Sequence, residues 1–538
     1  MKVKVGILII GVLVALNMLL AHVVCRWDMT DDQRYTISEP TQLLLKDINS
    51  PLIITNLLDG ELNAGFVRLK KATDEMIEEF SVYSSNVSVG ASVGDAVLET
   101  LDPIVIHERT SKGKMAQTTV YPYAIIEYNG KKTLVNLLHN QPGLSGEENL
   151  NRSIESLEYR LIDAVRRLQQ DEVQKVAFLE GHGELNEHEV YSLTQSLAQY
   201  YQVDRGVLGN EANVLDSYAV VIIADPQMPF SDADKYILDQ YLMQGGRILW
   251  VLNGVKFSSD FLSSQGVTPI IALDLNLNDL LFRYGVRVSH SLVQDLQCLP
   301  VPVDVSNNPQ QPNWQPMPWT YAPLLLTSQQ SPITRNVAQV TSTMASSVEL
   351  VGENDGIQKD VLLATSTASK ITSVPASVDL SLGVGDESSF RYAYIPVAVS
   401  LDGEFSSLYA HLGAPDSIKT NKPLLKKSVP TRQIVVAAGS TIRNEWLQSQ
   451  PLPLGYDRYT QTQFGNGDFM LNAVLYLTDD EGWMHLRQKE VQLRLINDKR
   501  AQHARVTAQV VSIVIPLALL LILGSAIIVI KRRKNIKI

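Results

Sequence analysis

The feature that most constrains the fold is an alternation of strand and helix patterns between residues 173 and 253. Three short, mostly apolar segments of strand length occur there, at 176–179, 219–224 and 247–252. Between them, apolar residues recur at helical spacing after Asn186, which can cap a helix, and after the capping-box sequence that begins at Ser231. The order strand, helix, strand, helix, strand predicts an α/β fold with a parallel sheet and helices on both faces.

The regions on either side of this alternation predict further domains. Residues 26–140 combine helical and strand patterns with an Asn-Gly hairpin signal, and we expect an α+β domain there. A helical pattern over 141–171 predicts a linking helix. The α/β domain then covers 172–430 and includes a β-rich insertion, because short apolar runs alternate with Ser, Thr and Gly late in this range. Residues 431–508 form the C-terminal part of the body and a charged lead-in helix.

Both ends of the chain carry long apolar runs. Residues 1–25 predict an N-terminal transmembrane anchor, with a cleaved signal peptide as the alternative. Residues 509–531 predict a second transmembrane helix, followed by a basic cytoplasmic tail at 532–538. Because the basic flanks lie outside both runs, we expect a two-pass protein of the inner (cytoplasmic) membrane. Both termini would be cytoplasmic and the main body periplasmic.

The charge distribution excludes one class of partner. The net charge is −11, and the part between the two basic ends is more acidic still. Nucleic-acid binding needs a concentrated basic surface, so no nucleic-acid partner is predicted. The two cysteines are far apart in sequence and do not indicate a disulfide framework.

A polar turn at the end of the first predicted strand is the candidate site. In open α/β sheets ligands bind beyond the carboxyl ends of strands. Glu180, His182 and Glu184 lie at such an end, and Asp225 follows the second strand. Three hypotheses remain for the turn: a metal site that also uses His188, a structural turn in which two glycines allow a sharp exit, and a small-ligand or partner site.

The sequence offers no further signal for catalysis or for a cofactor. It contains neither a phosphate-binding loop nor a dinucleotide-binding fingerprint. The strand-to-helix turns carry no Ser or Cys nucleophile with a histidine base. We therefore predict no catalytic residue, no cofactor and no resident metal. Any transport function would draw its energy from a separate ATPase.

Several ordered segments together resemble the GldG family of gliding-motility-associated ABC transporter auxiliary proteins. The resemblance extends over nearly the whole chain, and the segments that carry it are 34–38, 58–60, 143–148, 178–184, 234–250, 274–288, 294–298 and 465–482. It implies a subunit that works with an ABC permease and a separate ATPase. It also implies a glutamine-amidotransferase-like central fold, whose Cys-His-Glu constellation is missing from this chain.

The predicted function is a non-enzymatic, membrane-anchored periplasmic auxiliary subunit of an ABC-type transporter linked to gliding motility or envelope export. Its exported body would contact cargo or an envelope protein. The alternatives are a degenerate amidotransferase-like hydrolase, a sugar- or peptide-binding envelope protein, and a purely structural link in the envelope.

Overall fold

The computed structural model describes most of the chain between residues 37 and 528. The described residues are 37–60, 62–91, 98, 101, 103–109, 115–138, 145–169, 173–304, 306, 311, 313–352, 356–380, 386–420, 422–488, 510–525 and 528. The chain divides into two compact units, a main unit within residues 34–489 and a second unit that contains 490–538.

The first part of the main unit is an α+β arrangement. Its elements are α1 (Glu39–Lys46), β1 (Leu52–Asn56), α2 (Ala64–Tyr83), β2 (Val87–Val89), β3 (Ile104–Arg109), β4 (Met115–Val120), β5 (Tyr123–Tyr128), β6 (Lys131–Asn136), α3 (Gly146–Glu155) and α4 (Leu157–Gln169). One sheet has the order β2-β1-β5-β6, and α2 and α4 share its apolar core. The predicted hairpin turn is confirmed at Asn129 and Gly130, which both have positive φ, as a two-residue turn requires.

The predicted linking helix is divided into two helices. The capping box of Ser145 and Glu148 opens α3, which ends at Glu155. The chain then turns at Ser156, and α4 continues to Gln169 with one buried apolar face. That face joins the core of the first sheet, so the helix that was predicted as a linker is part of the α+β arrangement.

The central part of the main unit runs from β7 to α9. Its elements are β7 (Lys175–Leu179), α5 (Tyr191–Leu197), β8 (Gln202–Gly206), β9 (Val220–Ala224), α6 (Asp232–Met243), β10 (Arg247–Val251), β11 (Val255–Lys256), α7 (Ser259–Gln265), β12 (Val267–Ala272), α8 (Asn278–Arg283), β13 (Val286–Val288), β14 (Ser291–Asp295), β15 (Cys298–Asp304), β16 (Trp314–Thr327), β17 (Val340–Thr341), β18 (Val348–Leu350), β19 (Gln358–Ala364), β20 (Ser369–Ser373), β21 (Ala376–Asp379), β22 (Pro396–Gly403), β23 (Thr431–Val436), β24 (Trp446–Leu447), β25 (Gln450–Pro451), β26 (Tyr456–Asp457), β27 (Thr462–Gln463) and α9 (Asn466–Leu477). Short 3₁₀ helices lie at Glu387–Ser389, Leu408–Ala410, Gly439–Ile442 and Trp483–Gln488.

The large central sheet is mixed, which corrects the predicted parallel sheet. Its order is β15-β16-β19-β22-β23-β10-β9-β7-β8, and β17 pairs with β16. The strands from β8 to β23 are parallel, whereas β22, β19, β16 and β15 continue the sheet in antiparallel pairs. The region that was predicted as a β-rich insertion supplies β19 and β22, which extend this sheet. The other sheets of this part are smaller, such as β11-β12-β21.

Helices cover both faces of the parallel part, and its central strand β9 is apolar throughout. All five residues of β9 are buried. Alternate side chains therefore enter two different cores: Ile222 packs with α5 and α9, and Ile223 packs with α6 and α8. The helix that was predicted after Asn186 begins at Tyr191. The Asn186 side chain accepts bonds from the N–H groups of His188 and Glu189, as a helix cap does, but residues 187–190 form a turn.

The predicted bracket of two transmembrane helices is corrected as well. Among the described residues, no helix combines the length and the apolarity that crossing a bilayer requires. The predicted anchor at 1–25 and the tail at 532–538 lie outside the described residues. The two-pass inner-membrane localisation is therefore not supported.

Candidate functional site

His182 is held between two carboxylates at the carboxyl end of β7. Its Nδ1 lies 3.1 Å from Oε1 of Glu184, and its Nε2 lies 3.2 Å from Oδ2 of Asp234. The ring stacks on Phe230 with a centroid distance of 3.8 Å and an interplanar angle of 12°. Only 7% of His182 is exposed. Both ring nitrogens are thus occupied by groups of the chain itself.

The charges around His182 favour its protonated form. Burial opposes protonation, but hydrogen bonds to Asp234 and Glu184, and the negative charges of these two residues, raise the pKa of His182 to about 9. Burial also opposes ionisation of Asp234, yet the hydrogen bonds from His182 and Ser231 lower the pKa of Asp234 below its ordinary value. An imidazolium between two carboxylates is therefore the form at neutral pH.

The backbone of the turn is fixed by the same residues. Gly181 and Gly183 have φ values of 116° and 74°, which glycine adopts without strain. The N–H of His182 donates to Oε2 of Glu184, and its carbonyl accepts from the N–H groups of Gln227 and Met228. These φ values are the ones that the structural-turn hypothesis requires for a sharp exit from the strand.

Glu180 belongs to a different contact. Its Oε1 accepts a hydrogen bond of 2.7 Å from Nε of Arg205, which lies on the neighbouring strand β8. Arg205 also donates to the carbonyl of Leu185 and lies over the ring of Phe178, 5.2 Å from its centroid. Glu180 is partly exposed, so this carboxylate keeps one side toward solvent.

Asp225 is the buried centre of a second polar cluster. Its Oδ1 accepts from Nδ2 of Asn253 at 2.7 Å and from Nε2 of Gln227 at 3.1 Å. Its Oδ2 lies 3.4 Å from Nη2 of Arg443, whose Nη1 forms an ion pair with Glu189 at 3.0 Å. Burial raises the pKa of Asp225 to about 6, against the opposing effects of Arg443 and Asn253.

The second cluster is assembled from the carboxyl ends of three parallel strands. Asp225 follows β9, Asn253 follows β10, and Gly439 follows β23. The N–H of Gly439 donates to Oδ1 of Asn253. Asp225 has a φ of 53°, a strained value for a residue with a side chain, and such values concentrate at functional positions. These bonds thus join the carboxyl ends of β9, β10 and β23.

The four predicted residues meet only in part. His182 and Glu184 are in direct contact, and Gln227 connects them to Asp225 because it bonds both the carbonyl of His182 and the carboxylate of Asp225. Glu180 faces Arg205 instead. Sequence reasoning did not include the side chains that complete the clusters, which come from distant elements: Glu189, Phe230, Asp234, Asn253 and Arg443. Only Asp234 carried a signal, its place in the capping box of α6, which is confirmed.

The geometry does not favour the metal hypothesis. In the described part of the chain, no group of three or more His, Cys, Asp or Glu residues is arranged to hold a metal ion. Both ring nitrogens of His182 carry protons in the imidazolium form and donate them to the carboxylate oxygens of Glu184 and Asp234. A zinc ion would need an unprotonated nitrogen, and the raised pKa of His182 opposes that state.

A cavity lies elsewhere, beside α6. Its volume is about 100 Å³, and it is lined by Ala212, Tyr236, Gln240, Gln244, Thr420, Lys422, Pro423 and Leu425. Pockets that bury a drug-sized ligand have volumes of about 300–1,000 Å³. This cavity is smaller, and the four predicted residues do not line it.

The family comparison covers the central sheet and both clusters. Residues 173–473 match the family described as an ABC-type uncharacterized transport system, whose short name marks it as an ABC transporter auxiliary family. This match spans more than half of the chain. The chain belongs to this ABC transporter auxiliary family. Residues 31–127 also match a domain of unknown function, DUF7088, which overlaps the α+β part.

Comparisons with individual proteins do not refine this family assignment. No curated protein matches the chain. Among solved structures, the mmIFT52 N-terminal domain is 15% identical with a TM-score of 0.34, and the match covers 57% of this chain and 99% of that one. A thua-like protein from Parabacteroides merdae ATCC 43184 is 8% identical with a TM-score of 0.26, covering 57% of this chain and 90% of that one. At these TM-scores neither similarity defines the fold.

Proposed function

We propose that this protein is a non-enzymatic auxiliary subunit of an ABC-type transport system that works with a separate permease and a separate ATPase. The observation that carries the proposal is the family match over 173–473, which includes every strand of the large sheet. The resemblance to the GldG family supports the finer assignment to gliding motility or to export through the cell envelope.

The candidate residues act as a scaffold in this proposal. Acid–base catalysis by His182 would need a ring nitrogen free to exchange a proton with substrate, whereas His182 is bound at both nitrogens and stacked on Phe230. Asp225 is 4% exposed and bound to Asn253. We propose that both clusters hold the loops at the carboxyl edge in position, so that these loops can contact the transport components or a cargo protein.

Co-purification tests the proposal. The full chain carries an affinity tag and is expressed together with the permease and the ATPase of its transport system, and the complex is isolated in mild detergent. We expect all three proteins to elute together in a fixed ratio. A chain that elutes without both components would contradict the proposed function.

A further inference from the structure

The two edges of the large sheet differ in how they are protected. At one edge, β15 contains Pro300 and Pro302, which lie opposite Pro318 and Pro316 of β16. Proline has no N–H, so only the residues between these prolines can donate to the ladder. The prolines therefore occupy the outward positions and remove the donors that another strand would need. This edge is closed to strand addition.

The other edge, β8, carries no such protection. The N–H of Gln202 donates to the carbonyl of Gln174, and the carbonyl of Gly206 accepts from the N–H of Glu180. Backbone groups alternate in direction along a strand. The even-numbered residues of β8 thus face β7, and Val203, Arg205 and the following Val207 face outward. Within the described residues, the N–H groups of these three have no hydrogen-bond partner, and Val207 is 64% exposed.

A second copy of this chain is a poor occupant of the edge. An antiparallel partner strand must present its own outward-facing residues to Val203 and Arg205. In a two-fold pair of β8 strands, those residues are again odd-numbered. The two registers with the greatest overlap then place Asp204 opposite its own copy or Arg205 opposite its own copy. Like charges directly opposite each other are destabilising, so the sequence of β8 opposes self-pairing.

The charge of β8 indicates what a foreign strand would carry. Asp204 accepts hydrogen bonds from Nε2 of Gln202 and from the hydroxyl of Tyr218, which are neutral donors. No cationic side chain of the described residues forms an ion pair with Asp204. Arg205, in contrast, already binds Glu180. A basic side chain opposite Asp204 would therefore complete the charge pairing on this edge.

We propose that β8 is a docking edge, to which an extended segment of a partner protein of the transport system adds as a strand with a basic side chain opposite Asp204. This inference rests on the proposed function, because the partner is a component of that system. Main-chain hydrogen bonds to Val203, Arg205 and Val207 supply the affinity, and the charge opposite Asp204 supplies the selectivity.

A proline substitution tests the docking edge. Val203→Pro removes an outward N–H that β8 does not share with β7, and Val203→Ala is the matched control that shortens the side chain but keeps the N–H. In the three-component co-purification, we expect V203A to recover the partners at the level of the unchanged chain and V203P to recover at least about tenfold less. Asp204→Lys should also reduce recovery.

Hydrogen exchange on the unchanged complex makes the test independent of how the variants fold. We expect the amides of Val203, Arg205 and Val207 to exchange at least about tenfold more slowly in the complex than in the isolated full chain. If the complex forms but V203P recovers as much partner as V203A, or these amides are not protected, the docking edge is refuted and the proposed function stands. If the unchanged chain binds neither component, both proposals are refuted.

Discussion

The Nε2 atom of His182 lies 3.2 Å from a carboxylate oxygen of Asp234, although the two residues are 52 positions apart in the chain. This contact connects the turn after β7 to the first turn of α6, where Asp234 also belongs to the capping box with Ser231. The other ring nitrogen binds Glu184. The buried imidazolium of His182 thus joins the turn after β7 to the first turn of α6.

Replacing His182 with alanine should destabilise the fold substantially. The change would leave the carboxylate of Glu184, whose side chain is 1% exposed, without its positive partner. Breaking a buried pair by removing one member costs about 3–5 kcal/mol. We expect a loss of about 3 kcal/mol in the free energy of unfolding, measured by urea denaturation.

Glu180→Gln is the control for this prediction. Glu180 lies in the same turn, but its side chain is 44% exposed and its partner Arg205 keeps another acceptor at Leu185. An exposed ion pair contributes less than about 1 kcal/mol. A loss for H182A that is no greater than the loss for E180Q would show that the His182 cluster does not hold the two elements together.

The His182 cluster should also make stability depend on pH. The folded protein raises the pKa of His182 from its ordinary 6.5 to about 9, so the folded state holds this proton more tightly than the unfolded chain does. The resulting stabilisation is complete below the ordinary pKa and is lost as the pH rises through about 9. The loss amounts to about 3 kcal/mol. Urea denaturation of the unchanged protein and of His182→Gln across this range should show their difference shrinking.

A constant difference between these two proteins from neutral to alkaline pH would contradict the raised pKa. Tyr159→Phe gives a suitable third protein, because it changes a partly buried side chain of α4, whose hydroxyl lies 3.6 Å from Sδ of Met484, and leaves His182, Glu184 and Asp234 in place. Its stability should follow the same pH dependence as the unchanged protein.

Local sequence patterns predicted the parallel part of the sheet because its strands and helices are defined by nearby residues. The apolar runs at 219–224 and 247–252 became β9 and β10, and the capping box of Ser231 opens α6. The antiparallel half was not predicted as part of this sheet. The paired strands β22 and β23 are separated by a long stretch of sequence, and no local pattern specifies such a pairing.

The candidate site was likewise predicted only where local sequence defines it. His182 and Glu184 stood out because they flank glycines at the end of a strand. Asn253 and Arg443 did not stand out, because each is an ordinary polar residue until the parallel ladder aligns the ends of β9, β10 and β23. The membrane prediction depended on apolar runs at the two ends of the chain. Among the described residues no helix meets both requirements for crossing a bilayer, and the first of these runs lies outside them.

Asp225 should add a second loss of stability with rising pH, on the acid side of the pH profile. Burial raises its pKa from 3.8 to about 6, so the folded state favours the protonated carboxyl. Stability from this group is complete below its ordinary pKa and is lost as the pH rises through about 6, amounting to roughly 3 kcal/mol. Asp225→Asn does not titrate and should remove this downward slope. Urea denaturation of both proteins over this range would measure it, and identical slopes would contradict the prediction.

Gly439 should tolerate no side chain. A Cβ at this position would lie 2.2 Å from Oδ1 of Asp225 and 2.7 Å from Nδ2 of Asn253, and neither atom can move away without breaking the bond between them. Overpacking of this kind costs about 1–3 kcal/mol. We expect Gly439→Ala to lower the free energy of unfolding by that amount and to flatten the acid slope assigned to Asp225. Gly206→Ala is the control, because a Cβ there meets no atom within 4 Å, and its effect should stay within about 0.5 kcal/mol. Equal stabilities of the two variants would contradict the close packing of the cluster around Asp225.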